Sequence, residues 1–205
     1  MKKLFTLAIV ALMAVSASAQ YYIGGGIGFG MDKVKPEGGE SSTNTSFTIA
    51  PEFGYKLDEN MSVGIQVGFT NSKEEGAWWG GTVVDELKTN MFMIAPYVRY
   101  NFFSFGNFRV AAQADLGFAS GKEKGTVGAN SLEEKKTAFG LNVAPVLTYN
   151  LTDKVTLLTR LNFMNLGFNQ TKYKDAYTET SFGFGVDTYD TFNTGNIQVG
   201  FLYNF

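Results

Sequence analysis

Six charged side chains fall on one face of the alternating segments of this sequence: Glu52, Lys56, Arg99, Arg109, Asp115 and Arg160. Side chains of opposite sign that share an enclosed face can form ion pairs and charge-assisted hydrogen bonds. Glu52, Arg99, Asp115 and Arg160 lie near the middle of their segments, where we expect them to meet as a buried charge network. Lys56 and Arg109 lie nearer the ends, where we expect hydration. The alternative is that these charges line a narrow, gated ion path.

The chain contains no histidine and no cysteine. The Ser–His and Cys–His nucleophile pairs therefore cannot form, and the general acid or base best suited to neutral pH is missing. No carboxylate pair is marked out by its spacing, and the Gly-rich run at 24–30 lacks the order of a phosphate-binding loop. We predict no catalytic residues, no metal site, no cofactor and no enzymatic activity.

The elements that must position these charges are segments in which large apolar residues alternate with small or polar ones. A period of two is the pattern of a β-strand with one apolar face. Eight such segments are found, at residues 21–31, 46–57, 61–70, 89–102, 108–119, 137–151, 155–166 and 193–205. The fold class predicted is all-β, a closed antiparallel up-and-down transmembrane barrel of even strand number. An extra hairpin starting near Ser181 would give the alternative, a ten-stranded barrel.

The two faces of each segment differ in charge. The apolar faces, for instance Phe47, Ile49 and Phe53 in the second segment, contain no Asp, Glu, Lys or Arg. A water-soluble barrel would show the reverse, with the apolar face inside. Because a cation facing lipid near the membrane midplane costs about 2–4 kcal/mol, the register of each strand is strongly specified. This sorting predicts a barrel whose outer surface contacts lipid.

The connectors alternate in length. Short links lie at 58–60, 103–107 and 152–154, and long polar links lie at 32–45, 71–88, 120–136 and 167–192. Short periplasmic turns and long extracellular loops are typical of outer-membrane barrels. Aromatic residues in the long links are candidate contacts for external molecules, unless they lie at the outer membrane interface or simply extend hairpins: Trp78, Trp79, Tyr173 and Tyr177.

An Ala-Pro-x-x-x-Tyr repeat ends three of the segments, at 50–55, 95–100 and 144–149. Aromatic rings near these ends suit the headgroup level of a membrane, so we expect a periplasmic girdle of Tyr55, Tyr100, Phe102 and Tyr149. Proline cannot donate a hydrogen bond to a ladder. We therefore expect a local bulge at each proline of the repeat, Pro51, Pro96 and Pro145.

The N-terminal segment has the three parts of a secretory signal peptide. Lys2 and Lys3 precede an apolar run, and Ala17 and Ala19 form a signal-peptidase site. We expect a signal peptide at 1–19 and a single barrel domain at 20–205. Removing the two lysines changes the formal charge from −2 to −4 (−2 − 2), which argues against a nucleic-acid partner.

The last nine residues carry large apolar side chains at every second position: Ile197, Val199, Phe201, Tyr203 and Phe205. This pattern resembles the C-terminal strand that the barrel-assembly machinery recognises. Together with the signal peptide, the eight strands and the proline repeat, it resembles the outer-membrane β-barrel domain family. The chain is similar to the small OmpA- and OmpX-type barrels of Gram-negative bacteria, without the soluble cell-wall-binding domain of the larger OmpA-type proteins.

The resemblance implies a monomer in the cell outer membrane, with a structural and surface-facing role. Its expected partners are outer-membrane lipids and lipopolysaccharide, the barrel-assembly machinery during biogenesis, and an external protein or cell surface that contacts the loops. In a barrel of eight strands side chains are just large enough to fill the interior, so we expect a largely filled lumen. Two alternatives stay open: a small pore or gated channel for ions and small solutes, and a loop-based, adhesin-like binding module.

Overall fold

The computed structural model describes residues 21–34, 42–79, 82–161, 164–174, 177–186 and 197–205. The predicted signal peptide and its cleavage site lie outside these residues. Within them, ten strands follow one another in the order β1 Tyr21–Val34, β2 Ser42–Lys56, β3 Met61–Trp79, β4 Thr82–Phe105, β5 Phe108–Val127, β6 Asn130–Asn150, β7 Val155–Leu161, β8 Met164–Tyr173, β9 Thr178–Val186 and β10 Ile197–Asn204. No helix in the described part of the chain is long and apolar enough to cross a membrane.

Eight of the strands close into a ring. Each strand from β1 to β6 pairs antiparallel with the next, β6 pairs with β7, β7 with β10, and β10 with β1. The remaining two, β8 and β9, form a hairpin, and β8 pairs with the outer half of β6 beyond β7. The predicted antiparallel ring of eight strands is confirmed. The β8–β9 hairpin extends the sheet from β6 and is not one of the eight strands of the ring.

Apolar side chains cover the outside of the ring because alternate residues point to opposite faces. These outward side chains are more than a third exposed and form a continuous belt, which we call the lipid belt: Ile23, Ile27, Phe47, Ile49, Ile65, Phe69, Ile94, Val98, Phe118, Leu141, Leu157, Val199 and Phe201. Closure of the ring satisfies the backbone polar groups that lipid cannot. The sheet therefore presents an apolar exterior and a polar interior.

In the described residues the long links are largely strand, which agrees with the alternative that they extend the hairpins. β3 continues to Trp79 and β4 begins at Thr82, so most of 71–88 is a paired hairpin. β5 and β6 pair without a break up to the turn between Val127 and Asn130, where Gly128 has a φ of 55°. The bounds of these strands were not predicted because most residues of the extensions are polar, so the period-two apolar signal is weak there.

The short links form tight turns at the other end of the ring. Asp58 accepts hydrogen bonds from the backbone N–H groups of Asn60 and Met61 at 2.7 and 2.8 Å. Gly106 turns the chain between β4 and β5 with a φ of 57°, a conformation that glycine adopts without strain. The chain terminus lies at this end too, where the Phe205 N–H donates to the carbonyl of Tyr21 at 3.1 Å.

Pro51 and Pro96 interrupt the hydrogen-bonded ladders of their strands without shifting the register. β2 stops pairing with β3 after Ile49 and resumes at Glu52 in the same register, so Pro51 causes no bulge. Around Pro96, β4 and β5 behave in the same way. Pro145 pairs in register with β5, and its other side faces the step between β8 and β7. The predicted bulges are therefore wrong at Pro51 and Pro96, whereas beside Pro145 the register of β6 changes between its partners β8 and β7. A missing N–H removes a hydrogen bond, but it does not require an extra residue.

Candidate functional site: the lumen charge cluster

Glu52 lies at the centre of a buried cluster inside the ring. Its side chain is 0% exposed, and Arg99 Nη2 donates to its Oε1 atom at 3.0 Å. Arg160 forms an ion pair with the other oxygen, Oε2. β2, β4 and β7 thus bring together one carboxylate and two guanidinium groups from distant parts of the sequence. Burial of such charges is tolerated when each is paired and hydrogen-bonded.

Three neutral polar side chains complete the cluster. Gln113 Oε1 accepts hydrogen bonds from Arg99 Nε at 3.0 Å and from Arg99 Nη2 at 2.7 Å. Tyr97 donates to Glu52 at 3.2 Å, and the hydroxyls of Tyr97 and Tyr22 are 2.8 Å apart. Since the Tyr97 proton is directed to Glu52, Tyr22 supplies the proton for the second bond. The Arg99 guanidinium also lies 5.0 Å from the Tyr97 ring centre, within cation–π range.

Two glycines make room for the tyrosine rings. A Cβ atom at Gly54 would overlap the Tyr22 ring, and one at Gly64 would lie 2.5 Å from the Tyr97 hydroxyl. Tyr22 and Tyr97 are only 2% and 3% exposed. Tyr22, Tyr97 and Gln113 were not among the lumen residues predicted from the sequence. Their position on the inward face of an alternating segment was the signal that could have placed them in the lumen.

The cluster separates two cavities of the lumen, each of about 270 Å³. Arg160 and Gln113 lie in the wall of the outer cavity, with the side chains of Gln66, Asn142 and Asn169. Arg99 and Tyr22 lie in the wall of the inner cavity, beside the short turns. The cluster therefore lies in the lumen between the two cavities.

Of the six predicted lumen charges, Glu52, Arg99 and Arg160 are in contact. Asp115 lies in the wall of the outer cavity, with its cross-strand partner Asn142 and with Gln113. In the described residues it does not pair with either arginine of the cluster. Lys56 and Arg109 lie in the wall of the inner cavity, and Arg109 Nη1 donates to the Glu59 carbonyl at 3.4 Å.

The remaining predicted residues lie at the two ends of the ring. Tyr100, Phe102 and Tyr149 are exposed beside the short turns, and the Tyr55 ring packs 4.7 Å from that of Tyr21. On β10, which closes the ring, Ile197 pairs with Leu161 and Val199 with Ile27. The rings of Tyr203 and Phe205 meet edge to face at 5.4 Å.

The aromatic residues predicted as loop contacts lie at the opposite end. Tyr173 and Tyr177 stack at 4.6 Å where β8 turns toward β9. Trp78 and Trp79 pair with Val83 and Thr82 at the tip of the β3–β4 hairpin.

A family model described as the outer membrane protein beta-barrel domain matches residues 5–205. The chain belongs to this family. The protein is accordingly an outer-membrane protein, with the lipid belt as its membrane-spanning surface.

Similar proteins span most of this length. An uncharacterized protein of Haemophilus influenzae is 26% identical over 175 residues, which is 82% of this chain and 92% of that protein. Neisserial surface protein A has a TM-score of 0.46 at 12% identity, covering 92% of this chain and 98% of that one. A major outer membrane protein from Thermus thermophilus has a TM-score of 0.45 at 13% identity, covering 90% of this chain and 99% of that one.

Proposed function

We propose that this outer-membrane barrel has a closed lumen and acts through its surface. It stabilises the outer membrane as a folded, lipid-embedded body, and its extracellular hairpins contact external molecules or cells. The observation that supports this proposal is the Glu52 cluster, which lies between the two lumen cavities.

The energetics of the cluster favour a closed lumen. An ion that moved between the cavities would have to displace Arg99 or Arg160 from Glu52, whose carboxylate is fully buried. Removing one partner from a buried pair leaves an uncompensated charge and costs about 3–5 kcal/mol. The hydrogen bonds from Tyr97 and to Gln113 hold the same groups in place. An open path therefore requires the rearrangement of several side chains at once.

The surface role is supported by the length of the hairpins. β3 and β4 stay paired from Asn71–Asn90 to Trp79–Thr82, and β5 and β6 to Val127–Asn130. Paired strands hold side chains in fixed positions, which suits a contact surface better than a flexible loop does. Trp78 and Trp79, at one hairpin tip, belong to a residue type enriched at binding hot spots.

A gated ion path is the second candidate function. The observation that favours it is the excess of positive charge in the cluster, two guanidinium groups for one carboxylate. Arg160 Nε and Nη1 also make no hydrogen bond within the described part of the chain. An arginine with unsatisfied hydrogen-bond donors can exchange its partners, and such an exchange at Arg160 would open the lumen.

A liposome-swelling assay tests the proposed function. The refolded protein is reconstituted into phosphatidylcholine liposomes, which are then diluted into isosmotic arabinose. We expect swelling no faster than in protein-free liposomes, because the cluster blocks the sugar. Rapid swelling by a demonstrably folded barrel would contradict a closed lumen and favour the channel.

A further inference from the structure

One side of the ring carries a row of lysines just beyond the lipid belt. Phe118 on β5 and Phe139 on β6 are exposed on the belt, with ring centres 5.3 Å apart. The next outward residues along the paired strands are Ser120, Thr137 and Lys172. Two residues of a strand advance by about 7 Å, so this row lies at the height expected for lipid headgroups.

The following outward row consists of three lysines. Lys122 and Lys135 are direct cross-strand partners, and the Lys174 N–H donates to the Lys135 carbonyl at 2.9 Å. Like charges directly opposite each other destabilise a sheet. Lys172 lies below this row and Lys124 above it, and on this face of β5 and β6 the acidic side chain among the described residues is Glu133, which pairs with Lys122 at 2.7 Å.

Residues of these two rows and their strand neighbours line one cleft of about 550 Å³, made by Ser120, Gly121, Lys122, Lys135, Lys136, Thr137, Lys172 and Lys174. Lys136 is on the inward face, where it pairs with Glu123, so the outward lysines supply the charge of the cleft. Ammonium groups supply positive charge, and the Ser and Thr hydroxyls are hydrogen-bond donors. A phosphate group accepts both kinds of contact. We call this surface the lysine cleft.

We propose that the lysine cleft binds the phosphorylated headgroup of an outer-leaflet lipid. The headgroup lies in the cleft while the acyl chains lie along Phe118 and Phe139 below it. Attraction between basic side chains next to a membrane and anionic lipid contributes about fivefold in affinity per lysine. This inference rests on the proposal that the hairpins carry the surface contacts of the protein, and it names the chemistry of one such contact.

A second lysine group provides a contrast. On β3 and β4, Lys73 pairs with Glu75 and Glu86 at 3.0 and 2.8 Å, and Lys88 pairs with Glu86 at 2.5 Å. Two lysines there face two glutamates, so the group has no net charge. Neither Lys73 nor Lys88 lines the lysine cleft, although Lys88 is the cross-strand partner of Lys124. The group is therefore the matched control surface, because its lysines lie beside the cleft but are paired with carboxylates.

The test measures binding of diphosphorylated lipid A to the full barrel in dimyristoylphosphatidylcholine nanodiscs, by native mass spectrometry. The two variants are the lysine-cleft double substitution K135Q/K172Q and the control K73Q/K88Q. Each removes two exposed positive charges, and far-UV circular dichroism checks that each barrel is folded. We expect the lysine-cleft variant to bind lipid A about 20- to 30-fold more weakly, and the control to bind as the wild type does.

Two further arms identify the ligand. Lipid A without its phosphates should bind the wild type and the lysine-cleft variant with equal affinity. Free inorganic phosphate, at ionic strength matched with sodium chloride, should not displace lipid A. Equal weakening in both variants, equal binding of dephosphorylated lipid A, or full displacement by free phosphate would each overturn the proposal. Liposome swelling would contradict the closed lumen without changing these results, so the two proposals fail separately.

Discussion

Arg160 forms an ion pair with Glu52, a residue 108 positions earlier in the chain, inside the ring of strands. β10 and β1 lie between β7 and β2 in the ring, so the two side chains meet across its interior. The contact therefore depends on the curvature of these four neighbouring strands. It links the stability of the barrel to the closure of its lumen, because the same carboxylate also binds Arg99.

Replacing Glu52 with Gln should destabilise the barrel by about 3–5 kcal/mol, because two buried guanidinium groups lose their counter-charge. The measurement is urea unfolding of the refolded protein in lipid vesicles, followed by tryptophan fluorescence. E59Q, in the exposed turn after β2, is the control and should change stability by less than about 0.5 kcal/mol. Equal stability of E52Q and wild type would show that the cluster does not hold the ring together.

Replacing Gly54 with Ala should destabilise the barrel through steric overlap, because the added Cβ would collide with the Tyr22 ring. Overpacking of this kind typically costs about 1–3 kcal/mol. The matched control is G183A, where no atom lies within 4 Å of the added Cβ. Unfolding midpoints of the two variants should differ clearly, and coincident midpoints would mean that Tyr22 moves aside without cost.

Replacing Phe205 with Ala should reduce insertion of the protein into the outer membrane. β10 closes the ring through ladders to both β1 and β7, and an open sheet edge is not tolerated in lipid. The amount of folded barrel in outer-membrane fractions, read from the gel shift between unheated and boiled samples, checks this. Y177A, an exposed aromatic at the opposite end, is the control. Equal amounts of folded F205A and wild-type barrel would show that the Phe205 side chain is not part of the assembly signal.

Glu133 provides a pH-dependent test of the lysine cleft. Its hydrogen bond to Lys122 holds the pKa of the Glu133 carboxyl below its usual value of 4.5. The pair therefore stabilises the β5–β6 hairpin fully above that usual value and is lost as the pH falls through the lowered pKa. In K122Q the Glu133 pKa should rise toward 4.5, as measured by carbon-13 NMR titration of the carboxyl. An unchanged pKa would mean that Lys122 does not contact Glu133 in solution.

The alternation of apolar and polar residues was sufficient to predict the ring, since a period of two determines both strand type and facing. It also placed Glu52, Arg99 and Arg160 on the inward face. Which inward charges meet depends on strand tilt and stagger, which alternation does not encode. Asp115 shows the consequence, since it lies beside Asn142 and Gln113 in the outer cavity and, among the described residues, forms no ion pair with an arginine.

The bounds of the hairpin extensions were not predicted, for a different reason. Above the lipid belt both faces of a strand are solvated, so a stretch such as 120–136 alternates polar with polar. Its strands are held by the continuing ladder and by pairs such as Lys122–Glu133. A cross-strand pairing of this kind cannot be read from one segment alone.

The most direct test of the closed lumen is single-channel conductance of the refolded protein in a planar lipid bilayer, for wild type and E52Q. The account predicts no steady conductance from a folded wild-type barrel, because the Glu52 cluster separates the two cavities. Steady wild-type conductance that changes when Glu52, Arg99 or Arg160 is replaced would contradict it and make the cluster the gate of an ion path.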